Sequence, residues 1–434
     1  MVVDDREDHL TSIVEAFKSV GASCLAIKYE PENALEPRMF AGVRGLFLDL
    51  QLLDNAVSGD YRRHFALINT ILEENISPLG GPFILVLWTD APERAEELEE
   101  YLVGSIPPDK IHCLPVAVIA LSKTDYISIE NGSVRDAASL TAAVEERLNS
   151  SASLRVAIEW EVDVLGAASI VLRDLLANVP AGLAQNEKRT TGLANLLRAI
   201  ATAEVGEGHY RDEARAAIHA GLLPMLSDTI LNDLAGSSRP NVWRQAFLEA
   251  STPPVALGLP VSAQLNTRAH LASAGSDGIM SSAWGAVSVV PDNFRWRSVG
   301  LVGPTRFLEK DLGLQMNDGD RSAATIVRVR VGAACDYAQE KPGPIPLVLG
   351  AFVPAMANGK ARGLPGGSNL WISPPLQVGG NVRHLVINPR LIHTLPPRAL
   401  EGAMALYRIR EQLFMDLLAR LGFHGSRPGY VRFG

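Results

Sequence analysis

The sequence predicts an α/β chain: an N-terminal doubly wound, five-stranded parallel sheet, then a helical segment, then a β-rich α+β C-terminal domain. Three observations predict it. In the first 149 residues, short apolar runs alternate five times with amphipathic stretches, as strands and helices do in a parallel sheet covered on both faces. From Leu154 to about Ala235, apolar residues recur at helical spacing. After Pro260, short β-branched runs lie between clusters of Gly and Pro.

Taken in order, Val2-Val3 is a strand stub ending in an acidic pair. His9 to Val20 carries Leu10, Ile13, Val14, Phe17 and Val20 on one helical face, and Gly21 ends it. Ser23 to Ile27 is the second strand. Gly45-Leu46-Phe47-Leu48-Asp49-Leu50 is the third, apolar on both sides as a buried parallel strand requires. Tyr61 to Asn75 is a helix, followed by the breaker Gly80-Gly81-Pro82. Phe83 to Trp88 is the fourth strand. Pro92 to Val103 is a Glu-rich helix opened by a favourable proline. Val116 to Leu121 is the fifth strand, and Val134 to Leu148 the last helix of this part. The polar run Asn149-Ser150-Ser151-Ala152-Ser153 marks a boundary.

Beyond it, Ile158, Val162, Leu165, Ile170, Leu172 and Leu176 form one helical stripe, and Leu193, Leu196, Leu197 and Ile200 another. Gly221-Leu222-Leu223-Pro224 is expected to interrupt a third. Ser237 to Pro260 is rich in Pro, Ser and Gly. Strands are then expected at Trp284 to Val290, Ser298 to Val302, Thr325 to Val331, Ile345 to Phe352, Asn369 to Ile372 and His384 to Ile387. Leu400 to Leu421 reads as one helix stopped by Gly422. The expected division is residues 1–149, 154–236 and 255–434.

Composition narrows the function. Of 434 residues, 47% are hydrophobic and 20% charged, enough apolar material for more than one core and unlike a disordered or fibrous chain. Cys24, Cys113 and Cys335 are odd in number and far apart, so neither a disulfide framework nor a zinc pattern can be drawn. The start Met1-Val2-Val3-Asp4-Asp5 lacks the basic and apolar stretches of a signal peptide. No apolar run reaches about 18 residues, so no membrane span is expected. A cytoplasmic setting follows as the expectation. Residues 1–148 hold 12 Lys or Arg against 25 Asp or Glu, which disfavours nucleic acid there; the remaining 286 residues hold 28 against 23, too thin a surplus to argue for it elsewhere. There is no GxxxxGK[ST] and no GxGxxG, so nothing supports an ATP-driven or dinucleotide-dependent output.

Open parallel sheets bind ligands at the carboxyl ends of their strands. Strand one ends in Asp4-Asp5, strand three in Asp49, strand four in Thr89, and strand five in Ser122-Lys123. Carboxylates from two strands suit a hard divalent cation such as Mg²⁺. An aspartate can take a phosphoryl group as an acyl phosphate, with an ammonium and a hydroxyl holding the other oxygens. Lys123 and Thr89 are placed for those tasks. Lys110 is the rival amine, but it follows Pro107-Pro108 in a loop.

In these residues the first third of the chain resembles the receiver domains of two-component response regulators, a flavodoxin-like fold. The matching features are Asp4-Asp5 after strand one, Leu48-Asp49-Leu50-Gln51 after strand three, Trp88-Thr89-Asp90 after strand four and Ser122-Lys123 after strand five. The resemblance implies that Asp49 accepts a phosphoryl group from a histidine kinase. It implies that Asp4, Asp5, Asp49 and the carbonyl of Gln51 bind Mg²⁺, and that Thr89 and Lys123 contact the phosphoryl group. It further implies a signalling output through a protein effector or a homodimer, or a phosphate sink of the kind found in bacterial defence-type operons. Thr124 stands where such domains carry proline, and Ile119, Ala120 and Leu121 where many carry a switching aromatic residue. Two other readings stand beside this one: an inactive receiver-like scaffold, and an enzyme with a C-terminal site near Cys335-Asp336.

Elsewhere the signals are ordinary. His270, His384, His393 and His424 have no metal-binding spacing and read as core or surface histidines. Arg408, Arg410, Arg420, Arg427 and Arg432, mixed with aromatic residues, Glu411 and Asp416, read as a salt-bridged structural helix rather than a nucleic-acid surface.

Overall fold

The computed structural model describes residues 1–19, 23–52, 61–126, 139, 142–143, 146, 152–177, 179, 186–206, 214–233, 240–248, 256–273, 278–338, 343–364 and 369–425. They form two compact units. One comprises Met1–Arg173 and Leu226–Thr252, the other Asp174–Met225 and Pro253–Gly434.

The first unit contains β1 (Val2–Asp4), α1 (Glu7–Ser19), β2 (Ala26–Lys28), β3 (Gly45–Asp49), α2 (Arg62–Asn75), β4 (Ile84–Thr89), α3 (Ala95–Ser105) and β5 (Ala117–Ser122). All five strands run parallel in the order β2-β1-β3-β4-β5. That order is the flavodoxin-like one, as expected for a doubly wound sheet.

Alternation along the strands builds two cores. Val3, Leu46, Leu48, Leu85 and Leu87 face α2 and α3, where they meet Phe65, Ile68, Leu72, Leu98 and Leu102. Their neighbours Val2, Phe47, Ile84, Val86 and Trp88 face Leu10 and Ile13 of α1. Phe17 meets Phe47 edge to face at 5.3 Å. Each fully buried side chain of this size contributes roughly 1.5–3 kcal/mol. The second face also receives Ile158 from α4 (Ala152–Ala177), and Glu161 of the same helix pairs with Arg44 at the start of β3. The helix expected at Val134 to Leu148 lies almost wholly outside the described residues.

The helical segment continues with α5 (Asn186–Val205), α6 (Ala214–Asp228) and α7 (Pro240–Leu248). The expected interruption at Gly221 to Pro224 is absent, because α6 runs through Pro224. Helix α7 lies in the Pro-, Ser- and Gly-rich stretch: Pro240 opens it, where its missing N–H costs nothing.

The second unit is built on an antiparallel sheet, preceded by α8 (Leu259–His270). Its strands are β6 (Leu271–Ser273), β7 (Ala286–Val289), β8 (Thr325–Arg330), β9 (Ile345–Pro354), β10 (Trp371–Ile372), β11 (Leu376–Val378), β12 (Asn381–Leu395) and β13 (Tyr407–Ile409). The order is β10-β12-β9-β8-β7-β13-β6, with β11 also paired to β12.

Three expectations are corrected here. Ser298 to Val302 is no strand: a 3₁₀ turn, Trp296–Val299, ends at Gly300 in the left-handed region (φ 78°), packing Trp296 on Phe307 at 5.6 Å. The strand at His384 to Ile387 continues to Leu395, because its register shifts between Ile387 and Ile392 and so accommodates Pro389. Leu400 to Leu421 is not one helix. Tyr407–Ile409 pair with both β6 and β7, and the helix α9 runs from Glu411 through Gly422 to Gly425. Glu411 and Asp416 do not pair with arginines among the described residues; Asp416 accepts a hydrogen bond from Trp371 Nε1 at 2.6 Å.

Helix α9 lays Phe414, Leu417 and Leu421 on one sheet face against Val327, Val329, Val348 and Phe352. The opposite face packs Leu349, Ala351 and Val353 under Phe307, Leu308 and Leu312.

Candidate functional site

In the first sheet the strand order reverses between β1 and β3, and the crevice at their carboxyl ends is where open sheets bind ligands. β1 ends at Asp4 and β3 at Asp49. Four sequence-identified side chains meet there: Asp4, Asp5, Asp49 and Lys123.

Asp4 is fully buried. Its Oδ1 accepts the backbone N–H of Arg6 at 2.9 Å, and its Oδ2 accepts Lys123 Nζ at 3.0 Å. Asp49 is buried too. Its Oδ1 accepts the backbone N–H of Gln51 at 3.0 Å, and its Oδ2 accepts Lys123 Nζ at 2.7 Å. Lys123, the first residue of a one-turn helix directly after β5, thus ties strands one, three and five together. Asp5 is half-buried beside them, and the three carboxylates each offer an oxygen within 4.8 Å of the others.

Burial and the carboxylates set the charges. For Asp4, burial pushes the pKa up, but the His9 hydrogen bond, the Lys123 charge and the Arg6 N–H outweigh it and hold it at about 2. Asp5 is pushed up to about 6 by burial, by its hydrogen bond to Asp4 and by repulsion from Asp49 and Asp4, against the pull of Lys123. Asp49 is raised, by burial first and Asp4 repulsion after it, with Lys123 opposing. Burial favours a neutral Lys123, yet the attraction of Asp49 and Asp4 raises its pKa. Lys123 therefore stays an ammonium among carboxylates.

The remaining expected residues sit around this core. Gln51 is exposed and orients Asp49 through its backbone N–H. Thr89 is buried at the end of β4, paired with Ser122 across the sheet. Its hydroxyl accepts the backbone N–H of Ala91 at 3.1 Å, holding the β4 loop, and makes no hydrogen bond to the carboxylates or Lys123. Lys110 is excluded from the site, because its Nζ pairs with Glu73 at 2.7 Å.

His9 is the residue that sequence reading missed. Its Nδ1 lies 3.3 Å from Lys123 Nζ and 3.5 Å from Asp4 Oδ2. The available signal was its position in the first turn of α1, directly after the acidic strand end.

Three carboxylates and one ammonium form an oxygen-rich, net negative pocket. The donor set fits a hard divalent cation of the Mg²⁺ type, which prefers carboxylate oxygen over nitrogen or sulfur. Cys335 lies on the short helix Ala334–Ala338; its side chain is outside the described residues. No protein-family model, curated protein or solved structure shows a significant match to the chain.

Proposed function

We propose that residues 1–149 form a receiver domain that takes a phosphoryl group on Asp49 from a partner histidine kinase. The observation that carries this reading is the Lys123 ammonium 2.7 Å from Asp49 Oδ2 and 3.0 Å from Asp4 Oδ2, inside a cluster of three carboxylates at the switch point of a flavodoxin-like sheet.

In this reading an Asp49 carboxylate oxygen attacks the phosphorus of a phosphohistidine. The new O–P bond forms as the P–N bond breaks, and the imidazole leaves with a proton. Asp4, Asp5 and Asp49, with the carbonyl of Gln51, would hold Mg²⁺. When bound, that ion neutralises charge on the transferred group. Lys123 turns its ammonium from the carboxylates to a phosphoryl oxygen, and the Thr89 hydroxyl donates to another. His9 steadies Asp4 and Lys123. The adduct adds roughly −1.5 to −2 of charge to the pocket, enough to bias a two-state element.

The output falls to residues 154–236 and 255–434, through a protein effector, a second copy of this chain, or storage of the phosphoryl group. A cytoplasmic location belongs to the same proposal; among the described residues no helix is long and apolar enough to cross a membrane. A defence-operon role rests on the resemblance alone.

Acetyl phosphate with Mg²⁺, followed by intact-mass spectrometry, tests the reading. The expected result is one acid-stable, base-labile phosphate on the native chain and none on Asp49→Asn. Equal labelling of the two proteins overturns it.

A further inference from the structure

The central strand of the second sheet carries two buried arginines that form no ion pair among the described residues. On β8, Val327 and Val329 face the core under α9, so Arg328 and Arg330 point to the other face. They are only 7% and 8% exposed. Among the described residues neither guanidinium forms an ion pair or a side-chain hydrogen bond. Nε of both, and Nη1 of Arg330, are buried without an acceptor. For Arg328, burial alone acts, pulling its pKa below the ordinary value. For Arg330 burial also dominates, opposed by attraction from Tyr337 and Asp336.

The surroundings add donors. His393 on β12 is in register with Leu347 of β9, which is in register with Arg330, so His393 shares the row and the face. Both its ring nitrogens are buried without a hydrogen-bond partner among the described residues. Ser288 lies opposite Arg328 on β7, and its hydroxyl donates to that of buried Ser281 at 2.8 Å. The Tyr337 ring stacks on Arg330, 4.7 Å from Cζ, which holds the guanidinium plane.

Uncompensated buried charge is costly, and arginine forks match oxyanions. A carboxylate carries one charge and two oxygens, which a single fork satisfies. Two guanidiniums with three orphaned nitrogen donors match the three oxygens and near-double charge of a phosphoryl group. We propose that this face of the second sheet binds a phosphoryl-bearing small molecule, gripped by Arg328 and Arg330 with His393 and Ser288 beside them. This site is separate from the Asp49 pocket and does not depend on the receiver reading.

Calorimetric titration of the full chain tests it, using the Asp49→Asn protein in EDTA so that the N-terminal pocket does not contribute. Inorganic phosphate, phenyl phosphate and acetate are the probes, at constant ionic strength. Saturable one-site binding is expected, with either phosphate at least about tenfold tighter than acetate. Arg328→Met and Arg330→Met should each weaken it at least about tenfold, while being no less stable than the parent without anion, since each removes an unpaired buried charge. Tighter phenyl phosphate identifies an ester as the occupant, and tighter inorganic phosphate the free ion. Absence of saturable binding at roughly 10 mM, acetate binding as tight as phosphate, or variants that bind like the parent overturns the proposal. Should a variant fail to fold, the phosphate-to-acetate comparison on the parent decides.

Discussion

Lys123 sets the charge balance of the N-terminal pocket. Its ammonium stands between the Oδ2 atoms of Asp4 and Asp49, the place a divalent cation would contest. Lys123→Met leaves two buried carboxylates without their partner. In EDTA this should lower unfolding free energy by about 3 kcal/mol, read by urea denaturation, and Mg²⁺ should restore more stability to the variant than to the native chain. No loss in EDTA would show that the pair adds nothing. Asp5 gives a pH signature. Its carboxyl is raised to about 6 by burial and by its acidic neighbours. Between the unfolded value near 4 and 6, the native state keeps a proton that the unfolded chain has released. The contribution of Asp5 to stability therefore falls as pH rises through that window. Asp5→Asn should be more stable than the native chain at pH 7.5 in EDTA, and equal to it near pH 4. Asp4 acts with the opposite sign. Held at about 2, it contributes stability above pH 4 and loses it as pH falls towards 2.

At the scale of elements, strands of the first unit were readable because both of their faces are apolar. Leu46-Phe47-Leu48 and Leu85-Val86-Leu87-Trp88 leave no polar side for water, so position along the chain mattered more than period. The C-terminal corrections have a different origin. Leu400, Ala403, Met404 and Tyr407 satisfy helical spacing, yet Tyr407–Ile409 is claimed by the gap between β6 and β7, where backbone pairing outweighs local propensity. Pro389 lies just beyond the expected end at Ile387, and the register shift absorbs it. Helix α9 is held mainly by its apolar face: Phe414 is fully buried and meets Trp284 edge to face at 4.8 Å. Phe414→Ala should cost about 3–5 kcal/mol, with loss of near-UV circular dichroism from Trp284. A cost below about 1 kcal/mol would mean that the helix docks elsewhere.

At the scale of the whole molecule, each unit owns its apolar cores, and this separates their energetics. Phe414→Ala should therefore leave acetyl phosphate labelling of Asp49 at the native level, whereas Leu48→Ala, in the core beneath Asp49, should destabilise the labelled unit. Labelling lost in Phe414→Ala would show that the units fold as one. Mg²⁺ at about 100 times its dissociation constant should add about 2.7 kcal/mol to the unit holding the three carboxylates; a calorimetric scan that is unmoved by Mg²⁺ would contradict a metal site there.

The sequence by itself determined the α/β class, the succession of the first five strands along the chain and the acidic strand ends, because buried parallel strands are written as continuous apolar runs and their termini as the first polar residues after them. It could not place His9 in the pocket, or reveal Arg328, Arg330 and His393 as neighbours. Those facts depend on which strands pair and in what register, and a residue's partners across a sheet lie tens of positions away, where local pattern carries no information.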